Sequence, residues 1–387
     1  MPDFQNPKRH VDAQSRRRFL RDSSLMVAGG LSLSRAAHAS GDERIRIGLI
    51  GCGRQGTRVA KQILQAEELV HLHAMADIFR DRLQASYRGL KSRCGDQVRV
   101  PREQQFVGLD GFASLVETDV DLVILASPPC FQPSHLDAAV LAEKHIYAEP
   151  PLAVDVVGVQ QVLAANEIAR RLGLCVEVGF QKRHDHRYQE TAQKIASGFL
   201  GEILGGELLW VSGLTKPSPR HRGESELEFR LRNWRHHEGL GGHPLLEKQI
   251  HSLDVVNWIL GEQPIAAKPI RDPNGIPGAS AACHVEFTYP SGIVISTHAG
   301  TRLSSGSQII ESLRGELGTA QLDAGIIRDR DGKTVWRCRG KNTDPATQMS
   351  DLLAAIRQGT ACNSVDSAAA STLVALMGRN VALGQLP

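Results

Sequence analysis

Two hydrophobic rhythms alternate along the first half of the chain. Arg44 to Ile50 is a short, β-branched run that ends against a glycine-rich stretch, and Leu69 to Met75 is a second such run. Asp121 to Ala126 is almost continuously apolar, which is the pattern of a strand buried on both faces of a parallel sheet. His145 to Ala148 repeats it in shorter form. Between these runs apolar residues recur at helical spacing over 57–66, 79–90, 134–143 and 154–172. Strand alternating with helix predicts an α/β, doubly wound parallel sheet. The second half changes character. Residues 202–212, 282–289, 293–298 and 309–313 are strand-like, and Pro290-Ser291-Gly292 separates two of them as a hairpin turn. Residues 217–223 and 272–278 are loops by composition. There is no internal repeat and no low-complexity tract.

The first predicted strand runs into Gly51-Cys52-Gly53-Arg54-Gln55-Gly56, a G-x-G-x-x-G at a strand-to-helix turn. The first glycine makes the tight turn, the second lets backbone approach a pyrophosphate, and the third lets helix and strand pack closely. The helix N-terminus, with Arg54 and Gln55 in its first turn, then offers free N–H groups to the phosphates. Asp77 lies 21 residues past Gly56, at the end of the second strand. A carboxylate there binds both ribose hydroxyls of NAD and repels a 2′-phosphate. The pair of signals predicts a Rossmann domain with NAD as cofactor. Arg80 and Arg82 follow further on and leave NADP as the weaker alternative.

Size and charge narrow the picture. A chain of 387 residues suggests two domains. An apolar fraction of 41% and a charged fraction of 22% exclude wholesale disorder, a coiled coil and a collagen-like rod. The formal charge of +3 comes from the N-terminus: without its first 39 residues the chain has 38 basic against 39 acidic residues. Nothing in that balance points to nucleic acid or to an anionic membrane. The N-terminus reads as an address. Arg16-Arg17-Arg18-Phe19-Leu20 carries a twin arginine, an apolar stretch follows from Leu25 to Leu33, and Ala37-His38-Ala39 is a cleavage pattern. This resembles a Tat signal over residues 1–39, so the mature protein is expected outside the cytoplasm, periplasmic or extracellular. The apolar stretch is too short to span a bilayer. Seven cysteines (Cys52, Cys94, Cys130, Cys175, Cys283, Cys338, Cys362) are scattered without C-x-x-C spacing, so neither a zinc site nor a disulfide framework is read from them.

Further along, Ala126-Ser127-Pro128-Pro129, Pro133-Ser134-His135 and the stretch from His145 through Glu149-Pro150-Pro151 to Ala153 resemble the Gfo/Idh/MocA dehydrogenases. So do Gly179 to Arg183, Gly241 to Asp254, Arg314 to Ala320 and a helix over 350–357. The resemblance covers residues 43–387, and Arg232-Asn233-Trp234 through Trp258 resembles an exported subgroup. It implies a Rossmann domain over 43–152 and a C-terminal α/β domain over 153–387. The second domain would hold an open, mostly antiparallel sheet, and the last helices could return to the first domain. It also implies Ser127, Pro128, His135 and Glu149 at the cofactor, a sugar, cyclitol or related carbohydrate as substrate, and a homo-oligomer.

The family's catalytic pattern is incomplete here. Its dehydrogenases carry a lysine after the Glu149 equivalent, where this chain has Pro150, which has neither charge nor donor. The family's acid and histidine, one helical turn apart, correspond to Glu247 and His251. Asp254 follows, and a regular helix would set all three on one face. His251 is the expected general base, held by Glu247. Lys248, Arg183 and Lys182 are candidates for the missing cation. His184, His186, His236, His237 and His243 surround the region, but their spacing predicts no metal site. Three readings stay open: a dehydrogenase with a relocated cation, a glycosidase or lyase that uses bound NAD catalytically, and a non-catalytic relative that kept the nucleotide fold.

Overall fold

Six short parallel strands form the first sheet: β1 (Ile45–Ile50), β2 (Val70–Asp77), β3 (Gln105–Val107), β4 (Leu122–Leu125), β5 (His145–Ala148) and β6 (Val176–Val178). Their order is β3-β2-β1-β4-β5-β6. The computed structural model describes residues 44–213, 216–270, 279–302, 307–340 and 346–385. The expected export segment and the 272–278 loop lie outside them. From Ile45 onward the chain is one compact unit.

Helices cover both faces of this sheet. α1 (Arg54–Ala66) and α2 (Arg80–Cys94) pack on one face; α3 (Gly111–Val116), α4 (Gln132–Leu141) and α5 (Val156–Leu172) pack on the other. α1 does so because Val59, Ala60, Ile63 and Leu64 form one apolar stripe, all of it buried. All four residues of β4 are buried, as its unbroken apolar run requires. The domain boundary expected at residue 152 lies too early. The chain leaves β5, crosses over through α5 and returns to add β6, so the parallel layer runs to Val178.

The second sheet has eight strands: β7 (Ile203–Gly213), β8 (Ala266–Pro269), β9 (Ala279–Thr288), β10 (Val294–Arg302), β11 (Gln308–Gly315), β12 (Gly318–Gln321), β13 (Ile326–Asp329) and β14 (Thr334–Arg337). Their order is β14-β13-β12-β11-β7-β10-β9-β8, and every neighbouring pair is antiparallel except β7 with β10. The expected hairpin joins β9 to β10, with Gly292 at φ +84° in its turn. On β10, Ile295, Thr297 and Ala299 are buried and alternate with half-buried neighbours. Helices α8 (Ile250–Leu260) and α10 (Val365–Ala382) cover the buried face. At Gly378 a side chain would meet the Phe287 ring at 2.6 Å, so α10 sits on β9 at a distance only glycine allows.

α9 (Thr347–Gln358) returns to the first domain, where Met349, Leu352, Leu353 and Ile356 join the core under α1. Among the described residues no helix is long and apolar enough to cross a membrane.

Candidate active site

The chain departs in opposite directions from β1 and β4, which opens a crevice at the carboxyl ends of the strands. The glycine turn lines it. Gly51 has φ +94°, and a Cβ there would lie 2.5 Å from the Ala126 carbonyl oxygen. At Gly56 a Cβ would stand 2.0 Å from the Gly51 carbonyl oxygen, so no other residue lets α1 approach β1 this closely. At Gly53, by contrast, a Cβ would meet nothing within 4 Å: this glycine faces open space. No side chain caps α1, and its first residues, Arg54 and Gln55, line the same space.

Asp77 locks the turn from the neighbouring strand. Its carboxylate accepts from the Cys52 N–H at 2.7 Å and from the Phe79 N–H at 2.8 Å. Burial outweighs these bonds and raises its pKa above the ordinary carboxylate value. A cavity of about 580 Å³ lies over the turn and is lined by Arg54, Gln55, Asp77, Ser127, Pro128 and His135 among others. His135 shares a 2.9 Å hydrogen bond with Ser127 Oγ through Nδ1 and stacks on Phe112 at 4.2 Å. Burial pushes its pKa down to about 4, so the ring is neutral. The far wall is contributed by a segment of the second domain. Helix α7 (Glu226–Arg232) starts with a Ser225–Glu228 capping box and ends at Arg232, which pairs with Glu224 at 2.7 Å and Asp81 at 2.8 Å. This bolts Leu231, Trp234 and Arg235 over the crevice.

A second cavity of about 390 Å³ adjoins the first, sharing Arg54, Gln55, Ser127, Trp234 and Arg235 with it. Glu149, Pro150, Lys182, Glu247, Lys248 and His251 line it. Glu149 accepts from the Gln55 amide at 2.8 Å, and burial raises its pKa to about 7. His251 projects from the first turn of α8, with the edge of its ring against Phe180 at 5.7 Å. Its pKa is pushed down to about 3, chiefly by burial and then by the positive charges of Lys182, Arg58 and Lys248. It is therefore neutral near pH 7.

The helix leading to His251 is not regular. Leu245–Gln249 is a π-turn, whose wider winding rotates the register just before His251. Two expectations change, for Glu247 and for Asp254. Glu247 reaches the cavity but accepts from Arg235 Nε at 2.8 Å rather than holding His251. Lys248 also reaches the cavity, and among the described residues its amine has no hydrogen-bond or ion-pair partner; burial lowers its pKa. Asp254 points into the interior instead of sharing their face. It is fully buried and accepts from both nitrogens of the Arg183 fork at 2.7 and 2.8 Å, and from Ser371 Oγ at 2.8 Å.

That fork decides the place of Arg183, which lines neither cavity. Its neighbour Lys182 does line the second one, ion-paired with buried Glu311 and lying 5.4 Å from the Trp210 ring. Tyr188, on α6 (His186–Ala196), donates to the same Glu311 at 2.5 Å. The surrounding histidines do not converge. His184 sits between Glu177 and Asp351 at 3.5 and 3.6 Å, and His243 is buried, with its pKa pushed down to about 4. One group, His186 with Glu190 and Cys338, brings three potential ligand atoms within 4.8 Å. Glu190 faces Nε2 at 3.7 Å and Cys338 faces Nδ1 at 3.9 Å, on opposite sides of a ring that offers a metal only one of them.

Comparison with known proteins now places the chain. The sequence profile described as "Oxidoreductase family, NAD-binding Rossmann fold" matches residues 45–180, and its companion, the C-terminal alpha/beta domain, matches 192–358. The chain belongs to the Gfo/Idh/MocA oxidoreductase family. It is similar to an inositol 2-dehydrogenase of Cereibacter sphaeroides, with 26% identity over 334 residues, covering 82% of this chain and 87% of that one. It is also similar to the dTDP-3,4-didehydro-2,6-dideoxy-alpha-D-glucose 3-reductase of Actinomadura kijaniata, with 27% identity over 56% of each chain. Among solved structures, myo-inositol 2-dehydrogenase from Lactobacillus plantarum superposes with a TM-score of 0.66 at 17% identity, covering 88% of this chain and 98% of that one. Levoglucosan dehydrogenase in complex with NADH and levoglucosan superposes with a TM-score of 0.64 at 16% identity, covering 88% and 98%. These superpositions establish the shared Gfo/Idh/MocA fold: a parallel Rossmann sheet followed by a mostly antiparallel one.

Proposed function

We propose that the protein is an NAD-dependent dehydrogenase of a sugar, cyclitol or related polyol, and that its site compensates for the lysine absent at Pro150 with Lys248. The observation that carries this reading is the continuity of two cavities, one over the glycine turn and one around a neutral His251. The turn fits the cofactor: the open side of Gly53, the uncapped start of α1 and the Asp77 carboxylate suit a dinucleotide pyrophosphate and ribose. Bound NAD supplies the hydride acceptor.

The chain's own residues do the rest. His251 takes the hydroxyl proton as the C–H bond breaks. Lys248, whose ammonium is not spent on an internal partner, stabilises negative charge on the same oxygen. Lys182, neutralised by Glu311, is a fixed donor on the cavity wall, and the Trp210 indole beside it gives a flat apolar surface of the kind a sugar ring covers. The Glu247–Arg235 pair ties the wall of one cavity to that of the other.

The test is to incubate purified protein with NAD and a panel of inositols and aldoses and to follow NADH. Net NADH with at least one polyol supports the proposal. Conversion of a glycoside without net NADH would favour catalytic use of a retained cofactor. No nucleotide binding by folded protein would refute both. Export by the Tat route is part of this proposal and rests on the twin arginine. Replacing Arg16 and Arg17 together should hold the precursor in the cytoplasm, and unchanged export would show the address to be misread.

A further inference from the structure

Cys175 and Cys362 stand 187 positions apart in the chain and side by side in the fold. β6 is the edge strand of the parallel sheet, and its exposed rim is covered by the segment that follows α9. Val176 and Asn363 form an isolated parallel bridge there, held by the Val176 N–H on the Cys362 carbonyl at 2.9 Å and the Ser364 N–H on the Val176 carbonyl at 3.0 Å. This register sets Cys175 directly opposite Cys362. Neighbouring strands run about 4.8 Å apart, within the Cα separation that a disulfide spans. Both residues are free thiols. Cys175 is tied down further, with its N–H on His145 Nδ1 at 3.0 Å and its sulfur 3.3 Å from the Thr360 carbonyl.

We propose that Cys175 and Cys362 are a redox-active dithiol that closes to a disulfide and clamps the segment after α9 onto the edge of the Rossmann sheet. The oxidant is a disulfide, either a small molecule such as oxidised glutathione or a protein disulfide of an oxidising compartment. Cys362 is the entry point, because it is half-buried whereas Cys175 is 1% exposed. Cys175 and burial raise the Cys362 pKa, so the Cys362 sulfur attacks one sulfur of the oxidant as its proton leaves, forming a mixed disulfide and releasing one thiol of the oxidant. The Cys175 sulfur then attacks the Cys362 sulfur, forming the internal bond and expelling the second thiol. The protein loses two electrons and two protons, and one oxidant disulfide becomes two thiols.

The surroundings favour the second step. In the mixed disulfide Cys362 has no S–H left to donate, and the His145 ring beside Cys175 is what still lowers the Cys175 pKa. A thiolate is the attacking form in disulfide exchange.

The experiment uses the purified full chain and oxidised glutathione at neutral pH, followed by thiol counting and mass spectrometry of a non-reduced digest. The thiol count should fall by two, and a peptide pair linked through Cys175 and Cys362 should appear and vanish on reduction. The melting midpoint of the oxidised protein should rise by several degrees, because the bond closes a long loop. Cys175→Ser should accumulate glutathione on Cys362 without an internal link. Cys362→Ser should react at least tenfold more slowly, because only the buried sulfur is left. Protein that keeps both thiols under these conditions while its circular dichroism stays native would overturn the proposal. So would a glutathione adduct on wild-type Cys362 that never resolves. None of these readouts depends on the catalytic reading or on where the protein resides.

Discussion

The two cavities are built on different physical terms. The nucleotide cavity is specified by the backbone: three glycines, a helix end and one carboxylate, all within 27 residues of one another along the chain. The second cavity is specified by side chains drawn from the turns after β5 and β6, from β7, the π-turn and α8, and its charges are set by partners far away in sequence. A backbone site tolerates little steric change but is indifferent to charge at a distance. A side-chain site tolerates steric change and depends on which neighbour neutralises which.

The sharpest test of that contrast is at the glycines. Gly56→Val should abolish NAD binding, or folding with it, since its Cβ has 2.0 Å where contact needs about 3.4 Å. Gly53→Ala should leave the melting midpoint within a few degrees, since its Cβ meets no protein atom, yet weaken NAD at least tenfold, because the methyl occupies the space the pyrophosphate needs. Calorimetry and thermal melts on both variants separate fold from binding. Equal behaviour of the two would break the comparison.

In the side-chain cavity, His251→Ala should cost about 10²–10⁴ in turnover, the usual worth of positioned proton transfer, with NAD affinity within twofold of wild type. Steady-state kinetics on an identified substrate decide this, and wild-type turnover would remove His251 from the chemistry.

A smaller effect separates Arg183 from Lys182. Arg183→Ala leaves a buried carboxylate, Asp254, with only Ser371 as partner, and should lower stability by about 3 kcal/mol. KM and kcat at a temperature where the variant is folded should stay within about threefold, since Arg183 lines neither cavity. A selective loss of kcat without a change in the melting midpoint would return it to the active site.

The finest distinction is in pH. Glu149 has its folded pKa raised to about 7, so it takes up a proton in the upper neutral range, whereas His251, lowered to about 3, does not titrate there. Glu149 and His251 line the same cavity, so ionising Glu149 should ease proton transfer to His251, and kcat/KM should rise with pH through about 7. In Glu149→Gln that rise should flatten at the lower level. The raised pKa also means that folding binds this proton more tightly than the unfolded chain does. The stability Glu149 contributes is therefore full below about 4.5 and lost as pH rises through about 7. An unchanged kinetic profile in the variant would assign the limb to another group.

Legibility in the sequence follows the same division. β4 is readable because a strand buried on both faces is apolar throughout, and β1, β2 and β5 because most of their residues are apolar and buried. β3 was not: its three residues, Gln105, Phe106 and Val107, lie at a sheet edge and none is fully buried. β12, β13 and β14, each four residues long and carrying polar residues among the apolar ones, gave no periodic signal either. In the site, Glu247, Lys248 and His251 line one cavity, and they are adjacent along the chain. The partners of Glu247 and Asp254 were not foreseen, because a π-turn is invisible to an i, i+4 count and because Arg235, Arg183 and Ser371 arrive from elsewhere in the chain.

The sequence by itself determined the doubly wound sheet, the glycine turn and its acidic partner, because periodicity and steric exclusion act between residues close along the chain. Only the tertiary structure decided which of the adjacent cations Lys182 and Arg183 faces the cavity. Glu311 draws the first and Asp254 the second, across 129 and 71 positions. It likewise decided that two of the seven scattered cysteines meet at a sheet edge. Charge pairing and strand register couple residues through space, and linear spacing carries no record of that distance.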